Sequence, residues 1–228
     1  MINNRELKVA FMLKLYHTPV SPNSHRVWVT LIEKGLEFEL VEVNLTGEQF
    51  KPEFLAMNPF HHIPVLVDDD NTIIESLAIL DYLEAKYPTP AMLPDNPKDL
   101  STVRMVQLVT VNELLPSASP LFPVMLGLSK GDEEKIKQAK EKVGTIFKFF
   151  ESLLDERPFF GSETITLADA VAGTVVPWLP RAGVPLTDYS KLNRWCDRIL
   201  SRPAWEQTKA TPEAMEQIKS AMAARMSS

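Results

Sequence analysis
The sequence predicts a small mixed α/β domain followed by an all-helical one, and three observations carry that prediction. Up to Tyr87, short apolar runs with strand-like alternation take turns with runs at helical spacing. Four prolines, at positions 88, 90, 94 and 97, then interrupt all regular structure. Beyond them the apolar residues recur only at helical spacing.

In order, residues 13–16 form a short apolar strand, with Met12 as its plausible start. The turn formers of 17–24 follow, and then Val27, Trp28, Leu31 and Ile32 mark a helix that Gly35 ends. Residues 37–43 alternate apolar with acidic side chains, as a half-buried strand does. A second helix is expected near 48–57. Pro64 opens a strand, and the turn residues Asp68 to Asn71 join Val65–Val67 to Thr72–Ile74 as a hairpin. Ser76 then reads as the N-cap of a helix carrying Leu77, Ile79, Leu80, Tyr82 and Leu83. The order βαβαββα implies a mixed four-stranded sheet in a domain spanning 12–87, a linker over 88–98, and a helical domain over 99–222.

In that second domain a long helix starts near Leu100 and runs to the prolines at 116, 120 and 123, and another covers about 132–154. Thr166-Leu167-Ala168-Asp169 is a capping-box start for a buried helix over 167–176. Leu192, Trp195 and Ile199 mark a further helix, and Thr211-Pro212 begins the last with proline in its first turn.

Composition narrows the function. With 228 residues the chain can bury a sizeable core, and a net charge of -6 without any basic run argues against nucleic acid and anionic membranes. The single cysteine, Cys196, excludes an intrachain disulfide and suits a reducing compartment. The charged first eleven residues lack the apolar core of a signal peptide and read equally as a tail, an added non-native segment or an upstream start, and no run of about 18 apolar residues follows. A cytoplasmic location is expected. His17, His25, His61 and His62 fall on different elements without metal-ligand spacing, so no metal is expected.

The chemistry concentrates in residues 58–76. Proline at the head of a strand gives up its donor and leaves the backbone of Ile63 free to pair outward, and the Ile63–Pro64 bond is a candidate for the cis form. Ser76, at a helix N-terminus, offers a hydroxyl and free N–H groups to a carboxylate, and Glu75 can hold an ammonium group. A ligand with an α-amino acid at one end and a peptide in its middle fits both halves.

This run resembles the thioredoxin-fold half of soluble glutathione S-transferases, and the resemblance extends over nearly all the chain from Met12. It implies that Ile63, before Pro64, pairs with the cysteinyl backbone of glutathione, that Glu75 and Ser76 hold its γ-glutamyl end, and that His62 meets its glycyl carboxylate. It also implies a homodimer with glutathione as co-substrate. The chemistry then needs a stabilised thiolate. Aligning Arg26-Val27 with the same pair in zeta-class relatives puts Ser21 on their catalytic serine, with Ser24 and Tyr16 as rival hydroxyls. Ser24 has a sufficient role as N-cap of the first helix, and Tyr16 as a core side chain. No cysteine lies between 21 and 24, so the thiol-transferase mechanism of some relatives is not expected. Met105, Leu108, Val109, Asn112 and Trp178 are the candidates for a small apolar electrophile's site between the domains. The chain is similar to the zeta and bacterial chi classes. Conjugation to detoxify small electrophiles is the function this implies, with glutathione-dependent isomerisation or noncatalytic binding as alternatives.

Overall fold
A computed structural model describes residues 13–227; the expected tail and Met12 lie outside the described residues. Strand β1 (Leu13–His17) is followed by α1 (Pro22–Glu33), β2 (Phe38–Glu42), a 3-10 turn over Glu48–Phe50, α2 (Pro52–Met57), β3 (Val65–Asp68), β4 (Asn71–Ile74) and α3 (Ser76–Lys86). The sheet order is β2-β1-β3-β4, with β1 parallel to β2 and antiparallel to β3. The hairpin pairs Val65 with Ile74 and Asp68 with Asn71, and Asp69 takes the positive φ of 59° that so tight a turn requires. Asp68 is buried beneath it and accepts from Tyr82 Oη at 2.7 Å and Lys86 Nζ at 2.5 Å.

Two caps differ from the sequence reading. The N-cap of α1 is Ser21 and not Ser24: Ser21 has extended backbone and its Oγ accepts from the Ser24 N–H at 3.4 Å. Pro22 occupies the next position, where a missing N–H costs nothing. The N-cap of α3 is Glu75, and Ser76 is the first helical residue. Glu75 holds φ 67° and ψ 114°, a crowded conformation for an L side chain.

The helical part begins earlier than expected, at α4 (Pro97–Val109), because Asn96 caps it by accepting from the Asp99 N–H at 2.9 Å. A π-turn over Thr110–Leu114 leads to α5 (Leu115–Ala118), a 3-10 turn and α6 (Phe122–Met125). Then come α7 (Glu133–Leu153), α8 (Leu167–Ala172), α9 (Ser190–Leu200), α10 (Pro203–Gln207) and α11 (Pro212–Ser227). Helix α8 is shorter than the expected 167–176; it stops at Gly173, and a 3-10 segment resumes at Val176. The capping box at its start is complete: Thr166 and Asp169 bond reciprocally, and Asp169 also accepts from Phe160 N at 3.1 Å and Trp195 Nε1 at 2.7 Å.

One core runs through both parts. Leu15, Val27 and Leu80 belong to the same buried cluster as Val103, Phe150, Leu167 and Trp195. Helix α1 is the shared element, packing on α3 of the first part and on α8 and α10 of the second. Lys34, at its C-terminus, donates to the carbonyls of Tyr87 and Pro90 at 2.8 and 2.9 Å and so fixes the start of the proline-rich connection.

Candidate functional site
The turn before α1 and the first turn of that helix divide two cavities. Ser21 and Asn23 line a polar one of about 470 Å³, whereas Pro19, Val20, Pro22 and His25 line an apolar one of about 320 Å³. Neighbouring residues of one short turn therefore face two different chemistries.

The polar cavity collects Ser21, His62, Ile63, Pro64, Glu75 and Ser76, all six of the residues singled out around the ligand with an amino-acid end. The Ile63–Pro64 bond is cis, and the backbone of Ile63 makes no hydrogen bond among the described residues, so its N–H and C=O stay available. Asn58 shapes the loop in front of them. It is buried, its Nδ2 donates to the His62 carbonyl at 2.8 Å, and its Oδ1 accepts from Phe60 N at 3.0 Å. Sequence reasoning placed Asn58 in the motif but gave it no role; its polar side chain beside two turn residues is the signal for such a local bond. Gln49, also in the lining, is held by the Leu45 carbonyl and the Gly47 N–H at 2.9 and 3.1 Å. Phe50, His61 and His62 form the exposed rim, with the Phe50 and His61 rings 4.9 Å apart.

At Ser21 the hydroxyl has one proton and two lone pairs. The Ser24 N–H takes a lone pair, so the proton is left to donate. Pro22 has no N–H to add, and Asn23 carries the next free backbone donor of the first turn. A thiolate placed there meets a hydroxyl, an N–H and the positive end of the α1 dipole.

The rival hydroxyls lie elsewhere. Ser24 is buried, and its Oγ accepts from Thr18 N at 3.4 Å within the turn. Tyr16 packs with Val43, Phe54, Ile63 and Val65 behind the cavity and does not line it.

Of the five residues expected around an electrophile, the apolar cavity takes only Trp178. Met105, Leu108 and Asn112 are exposed on α4 and the π-turn, and Val109 packs into the core. The register of α4 turns its apolar residues inward at Val103 and Val106 instead. The cavity is walled by Leu115, Phe122 and Met125 from α5 and α6, by Trp205, and by Met215, Ile218 and Met222 from α11. Among its few polar groups is His25, whose Nε2 lies 2.6 Å from Thr208 Oγ1. Thr208 donates its proton to the Ala204 carbonyl at 2.7 Å, so the His25 Nε2 carries the hydrogen between them. Burial, helped by the charge of Arg26, holds the His25 pKa down at about 4.

Among the described residues no helix is long and apolar enough to cross a membrane, and no group of three or more His, Cys, Asp and Glu could hold a metal ion. Cys196 is buried, and burial pushes its thiol up to about 12, which makes it unreactive.

The model of the glutathione S-transferase N-terminal domain matches residues 15–91, and that of the C-terminal domain matches 108–203. The chain is 33% identical over 210 residues to glutathione S-transferase F10 of Arabidopsis thaliana, covering 87% of this chain and 97% of that protein. It is 34% identical over 209 residues to glutathione S-transferase 3 of Zea mays, covering 87% and 93%. Among solved structures it resembles glutathione transferase F7 from Populus trichocarpa, with a TM-score of 0.76, 32% identity and coverage of 90% and 99%. A glutathione transferase homologue from Sulfitobacter with bound glutathione aligns with a TM-score of 0.73 at 27% identity, covering 86% and 96%.

Proposed function
This chain belongs to the soluble glutathione S-transferase superfamily, and from that premise we propose how its residues divide the work of joining the glutathione thiolate to an electrophile. It is a glutathione transferase. The polar cavity takes the tripeptide: Ile63 pairs with the cysteinyl backbone, Ser76 and the α3 N-terminus receive the γ-glutamyl carboxylate, Glu75 holds the ammonium group, and His62 meets the glycyl carboxylate. Ser21 donates to the sulfur. The apolar cavity takes the electrophile, with Trp178 in its lining and the methionines of α11 as a deformable wall.

The observation that carries this reading is the turn between the cavities. Ser21, on the polar side, has its proton to spare, and Pro22, its neighbour, already belongs to the apolar side. A sulfur held at Ser21 thus stands beside Pro22, which lines the cavity assigned to the second substrate, and this keeps the thiolate's approach to it short.

A free thiol with a pKa of about 8.5 is only a few per cent ionised at pH 7, and each unit of lowering corresponds to about 1.4 kcal/mol of preference for the thiolate. An ultraviolet pH titration of glutathione thiolate absorbance, with and without the protein, tests the proposal. Ionisation well below the free value supports it; binding without a shift removes the role of Ser21, and no binding removes the assignment of the polar cavity.

We place the enzyme in the cytoplasm, acting on small apolar electrophiles in detoxification, as a homodimer. Met105 and Leu108, 39% and 51% exposed on adjoining turns of α4, give a second copy an apolar surface to cover.

A further inference from the structure
Arg26 lies on α1 five residues beyond Ser21 and is fully buried. Its guanidinium meets one polar side chain among the described residues, Ser76, with Nη1 3.5 Å from Oγ. Nε and Nη2 are buried without any hydrogen-bond partner. Burial alone lowers its pKa to about 10, which leaves it charged at neutral pH. A buried cation with no anion weakens a fold, and an apolar side chain of similar volume would join α1 to α3 without that cost. The charge therefore calls for a role.

Ser76 stands between this cation and the polar cavity that it lines. When Nη1 donates to Oγ, it occupies an acceptor site and leaves the Ser76 proton free for a ligand in the cavity. The N-terminus of α3 lies at the same place and also favours an anion. We propose that Arg26 is a positioning residue for the α-carboxylate of the γ-glutamyl end, acting through Ser76. The chain of donors runs Arg26 Nη1–H to Ser76 Oγ, and Ser76 O–H to the carboxylate. The buried charge gains its counter-ion only when this substrate is bound, so the enzyme selects ligands that carry a carboxylate at that position. The inference rests on the assignment of the polar cavity to glutathione.

The test compares glutathione with 4-aminobutyryl-cysteinyl-glycine, which lacks only that carboxylate. Dissociation constants for both are measured by calorimetry on the wild-type protein, Arg26→Met, Arg26→Lys, Ser76→Ala and Ser21→Ala. Wild type should prefer glutathione strongly, and Arg26→Met should shrink the preference about tenfold or more, the worth of a charge-assisted hydrogen bond. The Michaelis constant for glutathione should rise by a similar factor, with kcat at saturation within about twofold of wild type, because the contact exists equally in ground and transition states. Arg26→Lys should restore part of the preference, and Ser21→Ala should leave it intact. An unchanged preference in Arg26→Met overturns the proposal. If Arg26→Met does not fold, Arg26→Lys decides: its effect on the preference should vanish in a Ser76→Ala background, and additive effects overturn the proposal. Equal binding of the two peptides by wild type overturns the assignment of the cavity itself, an outcome distinct from failure of Arg26 alone.

Discussion
Arg202 grips Glu33 through two parallel hydrogen bonds, Nε to Oε1 at 2.7 Å and Nη2 to Oε2 at 2.6 Å. The pair joins the helical part to the C-terminal turn of α1, the helix whose other end carries Ser21. Both side chains are largely covered, so the contact is stronger than an exposed ion pair. Arg202→Met should lower unfolding stability by about 1–3 kcal/mol in denaturant titration. The double variant with Glu33→Met should recover part of that loss, since it leaves no unpaired charge.

Ser21→Ala removes the observed cap and the proposed thiolate donor at once. Loss of the cap should cost about 1 kcal/mol of stability. Loss of the donor should raise the bound thiol's pKa and lower kcat, with glutathione affinity nearly intact. Ser21→Thr keeps both groups and should retain the low pKa in the same absorbance titration.

Glu75 combines a strained backbone with a proposed contact. Glu75→Gly relieves the positive φ and should be at least as stable as Glu75→Ala in thermal unfolding. Both should raise the Michaelis constant for glutathione by about tenfold, the loss of one charge-assisted contact. Equal affinity in wild type and both variants would take Glu75 out of the site.

His17 supplies a pH dependence. It is buried, with Nδ1 unpartnered and its ring in a T-shaped contact with Trp28, and burial holds its pKa at about 4. The unfolded chain takes up this proton near pH 6.5 while the folded one does not. Stability from His17 is therefore complete above about pH 6.5 and falls as the pH drops towards 4, by at most about 1.4 kcal/mol per unit. Asp169 acts in the opposite sense, because complete burial raises its pKa to about 6. The difference between wild type and His17→Phe isolates the histidine: it should open below pH 6.5 and level off near 4 in pH-dependent denaturant melts.

Leu108→Glu addresses assembly. If Met105 and Leu108 are covered by a second copy, light scattering should show the variant shifted to monomer at concentrations where wild type is dimeric. An unshifted variant dimer would put the interface elsewhere.

Much of this was legible in the sequence because it depends on local rules. The hairpin at Asp68–Asn71, the capping box at Thr166 and the gathering of Ile63, Glu75 and Ser76 follow from turn chemistry, caps and one proline. The electrophile side was not. Which face of α4 turns inward depends on its packing against α7 and α8, and the apolar wall comes from elements as distant in sequence as Val20 and Met222. The buried charge of Arg26 escaped for a related reason: an arginine in an amphipathic helix reads as solvated unless the partner helix is known. The sequence pointed to Ser24 as the cap of α1 and missed Ser21, because the position of a cap turns on backbone conformation, which composition does not reveal.

The partition formed by the turn before α1 also bears on how such an enzyme diversifies. If the apolar cavity takes the second substrate as proposed, exchanges at Pro19, Val20 and Pro22 change its wall while Ser21 and Asn23 still line the other cavity. On the proposed assignment of the two cavities, selection for a new electrophile then acts through one wall and leaves the proposed seat of the tripeptide as inherited.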